Sequence, residues 1–232
     1  MLILFDIDGT ILLTQGAGVK AMLDAGHELF GEQFTTDGVE FSGRLDTLIW
    51  ADLTRINSVP NTDESHDLFR ATYGRKLAER LQRNPTAKLL PGVRDIVHQI
   101  AEFDDATLGL LTGNYPETGR LKIKHAGLDP DLFKVNAWGC DGQARRDLPP
   151  VAMRQHREAT GRNLRGEDVV IIGDTPHDID CARAHGCRSI GVATGVFGVA
   201  DLREAGADLA VENLSETRSL LRWMFQPADA RA

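Results

Sequence analysis

Apolar and polar residues alternate along this chain in two rhythms. Ile3-Leu4-Phe5 is a short apolar run that stops at Asp6 and is followed by Gly9 and Thr10, the pattern of a strand buried on both faces. Beyond Thr10 the spacing changes. Val19, Met22, Leu23, Leu29 and Phe30 predict a helix over about 17–30. Leu45, Leu48, Ile49, Leu53 and Ile56 predict a second helix, and Leu68, Phe69, Thr72, Tyr73, Leu77 and Leu81 a third. Between Thr14 and Lys88 only Val39-Glu40-Phe41 has a strand-like pattern, so this block reads as a helical insertion.

From Leu90-Pro91-Gly92 onward strand and helix signals take turns. Val93, Ile96, Val97 and Ile100 mark a helix, followed by a strand over 107–111. A helix over 116–126 is stopped by Gly127, and another runs from Pro149 to about Thr160. Val169-Val170-Ile171-Ile172 is a buried strand, and a helix over 176–185 ends at Gly186. Strands over 189–192 and 208–211 follow, and Asn213 with Glu216 offers a capping pair for a last helix carrying Leu220, Leu221 and Met224. Only the last few residues look frayed. Such alternation predicts an α/β fold, a parallel sheet with helices on both faces. The core would comprise residues 1–14 and 89–232, and the inserted cap residues 15–88.

At 232 residues the chain can bury a sizeable core. Its 26 Lys and Arg against 34 Asp and Glu leave a net charge of −8, which disfavours nucleic acid or an anionic membrane as partner. No stretch approaches the roughly 18 apolar residues of a membrane span. Cys140, Cys181 and Cys187 are odd in number and lack metal-ligand spacing, so a reducing, cytoplasmic setting is expected.

Three strand ends carry candidate chemistry. In a parallel sheet they face one edge, where ligands bind. At the first, Asp6 and Asp8 can border one small volume, with Gly9 bending the chain and Thr10 adding a hydroxyl. Two acids that close repel unless a cation joins them or one keeps its proton, a design suited to a nucleophilic carboxylate and a general acid/base over a metal ion. Turn-forming aspartates are the plainer reading. At the second, Leu111-Thr112-Gly113-Asn114 supplies a hydroxyl and a glycine amide that suit an anion, or simply an Asn turn. At the third, Gly173-Asp174-Thr175-Pro176-His177-Asp178 places Thr175 as a helix cap and Pro176 in the first turn. The helix dipole accounts for one of its aspartates, whereas Asp6, Asp174 and a backbone carbonyl would suffice for Mg²⁺.

These three motifs, in this order, resemble those of the haloacid dehalogenase superfamily, within the phosphoglycolate-phosphatase-like group that has a helical cap after the first strand. The resemblance spans nearly the whole chain and implies a Rossmann-like core. It implies Asp6 as a nucleophile forming an aspartyl-phosphate, and Asp8 as the acid/base with its backbone carbonyl on Mg²⁺. Thr112, Gly113 and Asn114 would bind phosphate, Asp174 would ligate the metal, and Asp178 would act through water or orient that shell. The family normally places a Lys before the helix after its third strand. Here Gln143-Ala144-Arg145-Arg146-Asp147-Leu148-Pro149-Pro150 has none, so Arg145, with Arg146 as fallback, would carry that charge.

The implied activity is Mg²⁺-dependent hydrolysis of a small phosphorylated metabolite, phosphoglycolate-like or a sugar phosphate. A phosphomutase and a non-catalytic phosphate-binding or regulatory protein are the alternatives. Specificity would lie in the cap, where Arg44 in Phe41-Ser42-Gly43-Arg44-Leu45-Asp46 could reach a substrate anion; the plainer reading makes Arg44 a solvated side chain and Asp46 a helix cap. The oligomeric state has no signature in the sequence.

Overall fold

The computed structural model describes residues 1–226, so the expectation for the last few residues lies outside the described ones. Strands β1 (Leu2–Phe5), β2 (Leu12–Leu13), β3 (Lys88–Leu89), β4 (Thr107–Leu111), β5 (Val135–Ala137), β6 (Val169–Gly173), β7 (Arg188–Val192) and β8 (Leu209–Val211) form two sheets. The larger one has the order β5-β4-β1-β6-β7-β8 and is parallel throughout. β1 sits in its middle, Leu4 facing Gly109 on one side and Ile171 on the other.

Helices α1 (Ala17–Phe30), α2 (Asp46–Asn57) and α3 (Asp63–Arg83) form the inserted cap. Helices α4 (Val93–Ala101), α5 (Pro116–His125), α6 (Leu148–Thr160), α7 (Pro176–Ala184), α8 (Val199–Glu204) and α9 (Thr217–Met224) belong to the core.

Side chains alternate across a strand, and β1 shows what that does here. Ile3 and Phe5 pack with Val93, Ile96, Ile123, Leu220 and Met224, on the side of α4, α5 and α9. Leu2 and Leu4 pack with Leu148, Val151, Cys181 and Ala182, on the side of α6 and α7. Each buried Ile, Leu, Val, Phe or Met side chain among them contributes on the order of 1.5–3 kcal/mol, so β1 is held from both faces. The cap has its own core, in which Trp50 and Phe69 stack at 4.5 Å among Met22, Leu53, Tyr73 and Leu77.

Several expectations need correction. Val39–Phe41 is not a strand; Val39 and Phe41 instead pack against the cap core as irregular chain. The insertion is bracketed by the antiparallel pair β2 and β3, too short to leave a periodic signal. β5 and α8 were not anticipated either, being only 3 and 6 residues long. Asn213 does not pair with Glu216: it accepts the Ser215 amide, and α9 begins after Glu216 with no side-chain cap. Asp46 is not the cap of α2 but its first residue, following Leu45.

Candidate active site

β1, β4 and β6 deliver Asp6, Thr112 and Asp174 to one sheet edge because the three strands are parallel neighbours in register. There a cavity of about 390 Å³ opens between core and cap. Its floor includes Asp6, Asp8, Thr112, Gly113, Asn114, Arg145 and Asp174; its far wall includes Val19, Met22, Phe41 and Ile49. The tight approach of cap to core needs Gly113. A Cβ there would lie 1.9 Å from the Arg44 carbonyl oxygen.

Asp6, Asp174 and Asp178 are buried, and one carboxylate oxygen of each lies within 4.8 Å of the others. Burial is the largest cause of the shifts here. It raises the Asp6 carboxyl from its ordinary 3.8 to about 6, against the opposing pull of Arg145 and with the repulsion of Asp178 and Asp8. The Asp174 carboxyl is raised to about 8 by burial, then by the charges of Asp6 and Asp178. Thr10 steadies Asp174 by donating its hydroxyl to Oδ1 at 3.0 Å. Gly9 and Gly195 let the backbone close around it: a Cβ on either would come within 2.3 Å or 1.8 Å of Asp174 Oδ2. A buried cluster of hard oxygen donors such as this could hold a metal ion.

Asp178 has both oxygens engaged. Oδ2 accepts the Thr175 amide at 3.1 Å and the Thr175 hydroxyl at 2.8 Å, closing the start of α7. Oδ1 accepts from Arg145 Nη2 at 2.6 Å. The same Nη2 lies 3.1 Å from Asp6 Oδ2. Burial works against the Arg145 charge, but Asp178 and Asp6 outweigh it and hold the guanidinium protonated more firmly than usual. Arg145 also donates Nη1 to the Gly43 carbonyl at 3.2 Å, and its buried Nε has no partner among the described residues. Arg146 points elsewhere: it pairs with Asp180 at 2.6 Å and is exposed.

Asn114 is buried against the site, donating Nδ2 to Asp8 Oδ2 at 2.9 Å and to Thr112 Oγ1 at 2.9 Å. Arg44 lines the cavity with its guanidinium on Asp52 at 2.6 Å. His177 is exposed and borders the cap loop at Gly43.

Two residues here were given no part in the site by the sequence. Asp46 is buried on the cavity wall, donating its amide to the Gly113 carbonyl at 2.7 Å and accepting the Tyr115 amide on Oδ2 at 3.0 Å. Burial lifts its carboxyl to about 7, opposed by Lys122. Lys122 is buried too, its Nζ 2.6 Å from both Asp8 Oδ2 and Asn114 Oδ1. Little in the sequence marks it: of the residues that share its buried face of α5, Thr118, Gly119 and Ile123, only Ile123 is strongly apolar.

A parallel α/β core under a helical cap, with buried carboxylates at the strand ends, defines a capped hydrolase architecture. The family model for haloacid dehalogenase-like hydrolases matches residues 3–192, and the chain belongs to that family. It is similar to a pyrophosphatase, PpaX, of Anoxybacillus flavithermus, at 25% identity over 94% of this chain and 95% of that one. A phosphoglycolate phosphatase of Vibrio parahaemolyticus is also 25% identical, over 93% of each chain. Among solved structures, CbbY of Rhodobacter sphaeroides in complex with phosphate superposes with a TM-score of 0.73, covering 93% of this chain and 95% of that one at 18% identity. Among the described residues, no helix is long and apolar enough to cross a membrane.

Proposed function

We propose that this protein is a Mg²⁺-dependent phosphatase hydrolysing a small phosphomonoester, phosphoglycolate-like or a sugar phosphate, through an aspartyl-phosphate on Asp6. The observation that carries this reading is the convergence of Asp6, Asp174 and Asp178 with the buried Arg145 at one sheet edge. Residues 1–14 and 89–232 act as the catalytic core, and residues 15–88 as the cap.

Asp6, Asp174 and the Asp8 backbone carbonyl would hold Mg²⁺, a set of hard oxygen donors that suits it, with Asp178 steadying the shell. Bound there, the ion would offset the carboxylate charge and that of the phosphoryl oxygens. An Asp6 oxygen bonds to phosphorus as the ester P–O bond breaks, and Asp8 gives a proton to the departing oxygen. Asp8 then takes a proton from the water that attacks phosphorus and releases phosphate from Asp6. Thr112 accepts hydrogen bonds from Asn114, which leaves its own hydroxyl proton for a phosphoryl oxygen. The Gly113 amide and the unpartnered Arg145 Nε supply further donors. The cap keeps water out during transfer, and Arg44 at the cavity wall contacts the part of the substrate beyond phosphate.

The test is phosphate release from a panel of small phosphomonoesters, 2-phosphoglycolate included, with Mg²⁺ and with a chelator. Release that needs Mg²⁺ is expected. Release indifferent to chelation, or none from any ester, overturns the reading.

A second expectation concerns stability. A carboxyl raised in the fold keeps its proton where the unfolded chain has lost it, so raised groups favour the fold at low pH. For Asp6 and Asp174 that contribution is lost as pH rises from about 4 through about 6 and about 8. The metal-free protein should therefore melt lower at pH 8 than at pH 5.5. Mg²⁺, binding the ionised carboxylates, should raise the melting temperature more at pH 8. Thermal scans with and without Mg²⁺ at the two pH values check both; an equal rise at both would remove these carboxylates as the metal site.

A further inference from the structure

We infer that Lys122 is a positioning residue for Asp8, fixing which carboxylate oxygen of Asp8 faces the substrate; this rests on the proposed phosphatase reading. Lys122 lies in the last turn of α5, on the face that also buries Thr118, Gly119 and Ile123. Burying an ammonium there carries a desolvation penalty that only good partners offset. Its partners are specific. Nζ donates to Asp8 Oδ2 and to Asn114 Oδ1, each at 2.6 Å, and Asn114 Nδ2 donates to the same Asp8 Oδ2 at 2.9 Å.

The three side chains thus form a closed triangle with two donors on one oxygen. Asp8 Oδ1 has no protein partner among the described residues, and the Asp8 side chain remains 44% exposed, on the cavity. Oδ2 is the anchored oxygen and Oδ1 the working one. The cap roofs this arrangement: a Cβ on Gly18 of α1 would lie 3.6 Å from Lys122 Nζ and 3.5 Å from the Tyr73 hydroxyl of α3. Without the ammonium, Asp8 is held by Asn114 alone and can turn Oδ1 away from the departing ester oxygen. Misplacing a reacting group by about 1 Å costs on the order of 10²-fold in rate.

Lys122 lines the cavity with its Nζ turned to Asp8 and Asn114, so acting through Asp8 its removal should matter in proportion to the need for Asp8's proton. An alkyl phosphate has a poor leaving group and needs that proton; 4-nitrophenyl phosphate scarcely does. The experiment compares Lys122→Met with wild type on both esters, with folding checked by circular dichroism and thermal unfolding. Lys122→Gln, which keeps a hydrogen-bond donor, and the pair Asp8→Asn with Asp8→Asn/Lys122→Met complete the set.

Lys122→Met should lose about 10²-fold in kcat on the alkyl ester, less than about 10-fold on the aryl ester, and change KM little. Lys122→Gln should recover part of the alkyl loss. In the Asp8→Asn background, Lys122→Met should cost almost nothing more, since residues acting as one unit are not additive. Equal losses on both esters, an effect confined to KM, or additive losses in the double variant overturn the inference while leaving the phosphatase reading intact. Wild-type protein that releases phosphate from neither ester overturns the phosphatase reading, and this inference with it.

Discussion

Asp6→Asn is expected to abolish turnover, lowering kcat by about 10⁴-fold or more, while the protein still folds. An amide oxygen is a poor nucleophile, and losing the group that forms the covalent intermediate removes the two-step route altogether. The fold should tolerate the change because burial is what most disfavours the Asp6 charge, and Asn carries none. Replacing the carboxylate also relieves repulsion from Asp178 and Asp8, although Arg145 gives up one of its two acidic partners. Steady-state phosphate release and thermal unfolding, measured on one preparation, separate the two effects. Turnover within tenfold of wild type would remove Asp6 as nucleophile.

Arg145→Ala should damage both stability and activity, and Arg146→Ala neither. Arg145 is buried, and deleting it leaves the carboxylates of Asp6 and Asp178 facing each other without their cation. Breaking a buried pair from one side costs about 3–5 kcal/mol, and losing a preorganised cationic donor costs about 10²–10³-fold in kcat. Arg146, on Asp180 with its side chain 61% exposed, should change stability by less than about 0.5 kcal/mol. Urea unfolding and kcat for both variants decide it. The reverse order would transfer the role to Arg146. Mg²⁺ should rescue part of the stability lost in Arg145→Ala by supplying another positive charge to the same carboxylates.

The residues at the strand ends could be read from sequence because the signal is local. A buried apolar run followed by Asp-x-Asp-Gly-Thr or Gly-Asp-Thr-Pro is complete within about a dozen residues, and parallel strands bring such ends to one edge. Arg145 was preferred to Arg146 only on the family resemblance, and the tertiary structure places just one of the two among the buried carboxylates. Lys122 shows the opposite case. In sequence it lies close to Lys124 and His125 near the end of the helix expected over 116–126, with nothing local to mark it as buried. Only the packing of α5 against the core turns it inward. Asp46 is a related case: a cap-like residue before an apolar run is a common local pattern, while its bonds to Gly113 and Tyr115 are long-range, the latter spanning 69 residues of chain.

By itself the sequence determined the α/β alternation, the helical insertion, and the identities of the carboxylates that end β1 and β6. Periodicity and turn chemistry are short-range properties, and each of these features is short-range. The tertiary structure decided which charges meet. It engaged Arg44 with Asp52, closed Asp178 onto Thr175 and Arg145, and anchored Asp8 between Asn114 and Lys122. Those pairings depend on where cap and helices pack, and charge interactions fall off over a few ångströms in ways that no spacing along the chain encodes.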